Sequence, residues 1–501
     1  MDEKEKGSVV EVTSDNDYPI ESTDLLFDLF LETKQYPAEQ LDADSRRVRI
    51  KTDVLLLPIL MFTYLLSFLD KQTLNYSNAY GLQADNNMTS EDYSWVASAA
   101  NFGYLIAAYP FNFILQRYPV GKTLTGLVFI WGMICMATAG VHNFTGLFIA
   151  RFFLGMVEAV IAPACMAITA MFYKRDEQSM RMSLWLGVNG IASILGGLLS
   201  WGCGHASAEI APWKLIYLVV GTITVVWSGV LVFLLPDSPK NAKMFTHYEK
   251  VVIMHRISKN GSGAKNKEYK RYQIKEAFMD PKSYFLWSIQ IALGLLNGGV
   301  TNFQSSLFKG FGFTGLQSTK LQMVGGAIEL VSCVAFGLIC NTIPHTILLC
   351  ISLAAIPGLG GLIGITKLPL SKKYSLAACC WIQNSFGASI ILSWSLPSIN
   401  LSGHTKKSAV LGFNFVLYAA SNITSPHFFY GSDSPRYWRA CIGLMICYGW
   451  LIACPIAFAG YLFLVNRSRD KKGYAVIDRE EVLAGFEDKT DFENKGFRYL
   501  L

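Results

Sequence analysis

The chain has 501 residues, of which 52% are hydrophobic and only 16% charged, with a formal net charge of +6. A soluble domain carries about a quarter charged residues, so the balance argues against a soluble enzyme and rules out intrinsic disorder, a fibrous repeat and a secreted disulfide scaffold. The basic residues are spread between apolar runs rather than gathered on one face, so no nucleic-acid partner is expected.

Residues 1–53 read as an N-terminal tail, acidic first and then basic at Arg46, Arg47, Arg49 and Lys51, with one short amphipathic helix over 23–33. No cleavable signal peptide is visible: the first apolar run begins near Val54, too long and too late for one. Apolar runs of roughly 18–25 residues are long enough to cross a bilayer as helices. They predict six spans near 54–76, 94–115, 122–141, 145–172, 181–204 and 213–235. A polar, basic central loop follows over 236–283. Six more spans lie near 284–307, 319–340, 345–366, 375–398, 408–430 and 438–465, and residues 466–501 form a second polar tail. The expected fold is therefore all-α and integral to the lipid bilayer, twelve transmembrane helices in two six-helix halves (54–235 and 284–465). Carriers built this way hold substrate near the midplane between halves. No sequence repeat between the halves is evident.

Loop charge sets the expected orientation. Arg117, Lys122, Lys174, Arg175, Lys406, Lys407 and the Lys-rich central loop all fall on the side of both tails, which the positive-inside rule places in the cytosol. Lys367, Lys372 and Lys373 dissent on the outer side, while Asn87-Met88-Thr89 is a glycosylation sequon there. The plasma membrane is the expected location, with the endoplasmic reticulum or another internal membrane as the alternative. The 11 cysteines lie mainly within apolar runs and are expected as free thiols.

Several stretches together resemble the major facilitator superfamily and, within it, the fungal allantoate-permease-like members of the anion:cation symporter family. They are Leu69-Asp70-Lys71-Gln72-Thr73-Leu74-Asn75-Tyr76, Gln116-Arg117-Tyr118-Pro119-Val120-Gly121-Lys122 and Arg151-Phe152-Phe153-Leu154-Gly155 with Glu158-Ala159 and Pro163. Pro212-Trp213-Lys214, Leu235-Pro236-Asp237-Ser238-Pro239 and Gly403-His404-Thr405-Lys406-Lys407 complete the match, which covers residues 50–465. The resemblance implies proton-coupled uptake of a small organic anion by a monomeric carrier with no cofactor and no metal. Allantoate, nicotinate, pantothenate, biotin and small peptides all suit it. Gln116 stands where the superfamily usually has Asp, and the fifth span lacks the Gly-Pro pair of antiporters, which favours symport.

Ions at membrane depth are the strongest physical signal, because burying one costs about 2.5–3.5 kcal/mol even on a mild scale. Asp70 and Lys71 follow sixteen uncharged residues. Being adjacent, they point about 100° apart on a helix; they either face a cavity and a neighbouring helix, or snorkel to water. Arg151 and Glu158, seven residues apart, share a face with about 10 Å between them along the axis. Desolvation favours the neutral form of a carboxyl, so Glu158 is the proton-site candidate, with Asp70 and Glu329 as further proton-coupling candidates. Lys71 and Arg151 are the candidate anion ligands. A structural pair locking the fourth span is the competing reading for Arg151 and Glu158, and close packing for Glu329, which follows Gly325-Gly326.

Among the uncharged polar groups at depth, Asn297, Asn302, Gln304 and Asn384 are candidate substrate contacts. Interhelical hydrogen bonds are the plainer account of each. The seventh span is favoured for a gate because Gly298-Gly299 adjoins Asn297. Tyr104, Trp185 and Trp394 are candidate stacking partners for an aromatic substrate. A membrane enzyme is disfavoured, since the seven histidines form no cluster; Gly121-Lys122-Thr123 lacks the leading Gly of a P-loop, which disfavours ATP-driven pumping. A nutrient sensor on a carrier fold is the remaining alternative.

Overall fold

The computed structural model describes residues 29, 32–33, 35–206, 209–258, 270–343, 345–472, 490–494 and 497–500. The helix expected over 23–33 falls mostly outside them. Residues read as tail form a helix, α1 (Ala38–Leu55), which runs almost directly into the first span, α2 (Leu57–Ala79). A short α3 (Leu82–Asp85) leads to α4 (Ser90–Arg117) and α5 (Val120–Thr138). The fourth span is two helices, α6 (Phe144–Glu158) and α7 (Ile161–Phe172), and so is the fifth, α8 (Arg175–Leu186) and α9 (Asn189–His205). The sixth is α10 (Pro212–Leu234).

The central loop holds α11 (His247–Ser258) and α12 (Arg271–Met279). The second half follows as α13 (Pro281–Gly310), α14 (Gly315–Thr342) and α15 (Ile347–Lys367), then a split tenth span, α16 (Lys373–Gln383) and α17 (Phe386–Asn400), then α18 (His404–Thr424) and α19 (Trp438–Lys471). All twelve expected spans are thus helical. An even number of crossings puts α1 and the end of α19 on one side, here the terminal face; the other side is the far face.

The repeat hidden in the sequence is visible in the caps. Second spans of both halves open on the same reciprocal cap, Thr89 with Asp92 for α4 and Thr314 with Gln317 for α14. The halves also break their fourth spans alike, after Glu158 in one and around Asn384-Ser385 in the other. Asp237, from the motif ending the sixth span, receives the Lys122 backbone N–H at 2.8 Å and so caps the start of α5. All eleven cysteines are free thiols.

Among the described residues, nine stretches are apolar enough to cross a membrane by length and composition. The three more polar spans, α4, α13 and α18, contribute to the contact between the halves. Tyr93 donates to the Asn302 carbonyl at 2.9 Å, Ser94 to that of Pro426 at 2.9 Å and Ser98 to that of Ile423 at 2.7 Å. On α2, Asn75 Nδ2 donates to Gln322 Oε1 at 2.8 Å and its Oδ1 accepts the Ser305 N–H at 3.0 Å. Lys309 Nζ donates to the Asn78 carbonyl at 2.5 Å. These bonds lie toward the far face, which is closed. Midway down, α9 packs on α14 through glycines: a Cβ on Gly190 would stand 2.9 Å from the Gly326 carbonyl oxygen, and one on Gly197 would stand 2.7 Å from Met323 Cγ.

Candidate functional site

Halfway along α2 the chain reads Ser67, Asp70, Lys71. Ser67 and Lys71 are four apart and share a face, and both meet Glu158 at the end of α6. Lys71 Nζ lies 3.2 Å from Glu158 Oε1, and Ser67 Oγ donates to the same oxygen. The pair is asymmetric in exposure, 44% for the Lys71 side chain against 5% for Glu158. Lys71 sits 6.0 Å from the Tyr104 ring centroid. Its ammonium is the exposed member of the pair. Glu158 occupies the one place in the fourth span where the helix stops, so the break positions its carboxylate against α2.

The other two ions of this half have different surroundings. Arg151 is 4% exposed, and its Nη1 and Nη2 donate to the backbone carbonyls of Asp70 and Lys71, both at 3.4 Å. That geometry ties α6 to α2. Asp70 turns away from Glu158 into α5, where it accepts from Trp131 Nε1 at 3.2 Å and from the Cys135 thiol at 3.2 Å. The 100° divergence of Asp70 and Lys71 is realised: one faces α5, the other Glu158.

In the second half the candidates divide. Gln304 and Asn384 come together over Gly325, whose Cβ position lies 3.4 Å from Gln304 Nε2 and 2.7 Å from Asn384 Nδ2. Their amide nitrogens donate to helix carbonyls, Gln304 to Cys380 at 3.5 Å and Asn384 to Trp381 at 3.1 Å. Glu329, one turn beyond Gly325, packs on Gly387, whose Cβ would stand 2.7 Å from Glu329 Cγ. It is half-buried and has no ion-pair partner among the described residues.

Asn297 and Asn302 lie elsewhere. Asn297 Nδ2 donates to Asn422 Oδ1 at 2.8 Å, an α13–α18 bond, and Asn302 Nδ2 donates to its own helix at the Gly298 carbonyl at 2.8 Å. Gly298-Gly299 does not interrupt α13; the missing side chains admit Asn422 and Ser425 of the α18 region. Trp185 is buried edge-on to Tyr64 at 5.1 Å and Trp394 packs on Phe415 at 4.5 Å, so of the three aromatic candidates only Tyr104 adjoins the ions.

A family model described as Major Facilitator Superfamily matches residues 60–426. The chain belongs to that superfamily. Among curated proteins, this superfamily member is 33% identical to the allantoate permease of Saccharomyces cerevisiae, over 91% of this chain and 87% of that one. It is 32% identical to an uncharacterized transporter of Schizosaccharomyces pombe, over 91% and 87%. A thiamine pathway transporter of Saccharomyces cerevisiae is 30% identical, over 91% and 86%. The fold matches a solved D-xylose-proton symporter with a TM-score of 0.59 at 12% identity, covering 80% of this chain and 97% of that one. As a member of the superfamily the chain is a multi-pass membrane secondary transporter and not an enzyme.

Proposed function

We propose that this transporter carries a small organic anion together with a proton, Lys71 binding the anion and Glu158 the proton. The observation that carries the reading is the ion pair halfway along α2 in which the cation is 44% exposed and the carboxylate 5%. Without substrate, Glu158 neutralises Lys71. A proton on Glu158 removes that competitor and frees the ammonium for a substrate carboxylate, so proton and anion bind together. Gln304 and Asn384, with nitrogens engaged by the helix, turn acceptor oxygens toward a substrate donor, and Glu329 serves as a second proton site. Rocking of the halves about the far-face contacts then exposes the site to the other side.

The terminal face is assigned to the cytosol by its excess of Lys and Arg, which makes the closed far face the outer one and this conformation inward-facing. The likeness to an allantoate permease makes allantoate the first anion to test, and the plasma membrane is the proposed site of action. One proton with a monoanion moves no net charge; each extra proton would add about 2.3 kcal/mol per 100 mV.

Uptake of labelled carboxylates by cells expressing the protein tests the reading. Glu158→Gln should abolish accumulation driven by a pH gradient while retaining exchange of labelled for unlabelled substrate. Unchanged accumulation at acid pH would sink the proton assignment.

A further inference from the structure

The terminal face of the second half contains an ion cluster that takes no part in the site above. Lys282 opens α13 and Lys406 opens α18, and both side chains are buried, at 2% and 0% exposure. Asp280 lies between them, 2.8 Å from Lys282 Nζ and 2.7 Å from Lys406 Nζ. Glu276, 14% exposed, is a second carboxylate 2.9 Å from Lys406, which leaves Lys282 with Asp280 alone. A further buried anion is supplied from far along the chain. Asp491, 0% exposed, places its two oxygens 2.7 Å from Lys282 and 2.8 Å from Lys406.

The segment around Asp491 is held as a ligand is held. The Phe492 ring centroid lies 4.1 Å from Lys406 Nζ and 4.7 Å from Lys282 Nζ. Tyr499 donates its hydroxyl to Asp491 Oδ2 at 2.8 Å, and its backbone exchanges bonds with the Asn466 amide at 2.9 and 3.1 Å. Arg469 gathers the Phe497 and Asp491 carbonyls at 2.5 and 2.7 Å. Leu500 N–H reaches Asn400 Oδ1 at 2.8 Å. One short stretch therefore touches the ends of α17 and α19 and the starts of α13 and α18.

We propose that Lys282 and Lys406 form a peptide-binding socket on the terminal face, selective for an acidic residue followed by an aromatic one, and that residues 490–494 and 497–500 are its intramolecular ligand. Docked, the segment ties four span ends of the second half into one body. Undocked, it leaves two buried cations sharing one buried carboxylate, so docking is coupled to the ionisation of Asp491.

The geometry also assigns a release point. Thr490 is 0% exposed, its hydroxyl accepts the Glu493 N–H at 3.3 Å, and its methyl packs on Gly403, whose Cβ would stand 3.1 Å from it. A phosphate on that hydroxyl has no room and meets the charges of Asp491 and Glu493. In Thr490-Asp491-Phe492-Glu493 the acid follows the hydroxyl by three residues, the pattern an acid-directed kinase reads.

Hydrogen exchange on the purified full-length protein tests the socket. Amides of residues 490–494 and 497–500 should be protected, and Asp491→Asn and Thr490→Glu should each raise their exchange at least tenfold, with α4 and α6 unchanged. Protection that survives both substitutions overturns the proposal. A chain with residues 473–501 removed gives an independent reading, using a fluorescent peptide of residues 488–501 as probe. That chain should bind the peptide, and bind its Asp491→Asn form at least tenfold more weakly, while the full-length protein, its socket filled, should bind neither. Equal binding of both peptides, or equal binding by both proteins, overturns it; if the shortened chain fails to fold, the exchange result alone decides.

Discussion

The first half and the second half break their fourth spans at matching places and put different chemistry there. In the first, the break presents Glu158 to Lys71, a charged pair at 3.2 Å with Ser67 on the same oxygen. In the second, it presents Asn384, an uncharged amide beside Gln304 over a glycine. The lesson is one of division. A fold built twice need not repeat its chemistry: an ion at depth is costly, so on the proposed reading one half carries the charge for binding and coupling, and the other adds neutral hydrogen bonds beside Glu329.

The largest expected effect tests the charged half. Lys71→Ala removes the anion ligand and leaves Glu158 buried without its cation. A hydrogen bond to a charged group is worth about 1.5–3 kcal/mol, so uptake should fall by roughly tenfold to a hundredfold in kcat/KM with the protein still reaching the membrane. If Lys71→Ala transports normally, the charged and neutral halves are not divided as described.

The neutral half should respond less. Asn384→Ala removes one neutral hydrogen-bonding group and leaves Glu329 in place, and a neutral hydrogen bond contributes about 0.5–1.5 kcal/mol net. KM should therefore rise by roughly twofold to tenfold, with the pH dependence of uptake unchanged. A pH profile that moves with Asn384→Ala, or a loss matching that of Lys71→Ala, would erase the contrast between the halves.

The difference between the halves was only partly legible in the sequence. The spans were, because length and hydropathy alone dictate them. Lys71 and Glu158 stood out because ions in apolar runs are rare. Their partner Ser67 did not, since one serine in a membrane helix is unremarkable; the signal available was its four-residue spacing from Lys71. The break after Glu158 had one signal, Pro163, whose ring opposes the carbonyl of Ala159 four residues earlier, but a proline alone does not say that the helix stops there. Arg151 was legible as costly but not as an anchor, because its partners are backbone carbonyls, which no side-chain pattern reveals. The bonds of Asn75 and Asn78 across the far face were not legible, because they depend on Gln322, Ser305 and Lys309 more than 200 residues away. The Asp491 socket was invisible for the same reason.

The smallest effect sharpens the contrast at the terminal face, where the second half clusters buried ions around Asp491 and the first half, besides a buried Arg256–Glu177 pair at 2.7 Å, has a more exposed pair. Lys51 of α1 donates to both Glu249 oxygens of α11, at 2.8 and 2.6 Å, with Lys51 36% exposed. Burial alone would raise the Glu249 carboxyl, but the Lys51 hydrogen bond and the Thr246 N–H hold it below the usual carboxylate range. A carboxyl lowered on folding stabilises the folded state above its ordinary value of about 4.3 and loses that contribution as pH falls through the lower folded value. Because the pair is partly solvated, Lys51→Ala should cost under about 1 kcal/mol, read as less than about fivefold faster amide exchange in α11 at pH 7. The difference from the unsubstituted protein should shrink at pH values below that range, where Glu249 is protonated in both. An effect on α11 as large as that of Asp491→Asn on its own segment would mean that exposure does not separate the two faces, and that the first half is also clamped from the terminal side.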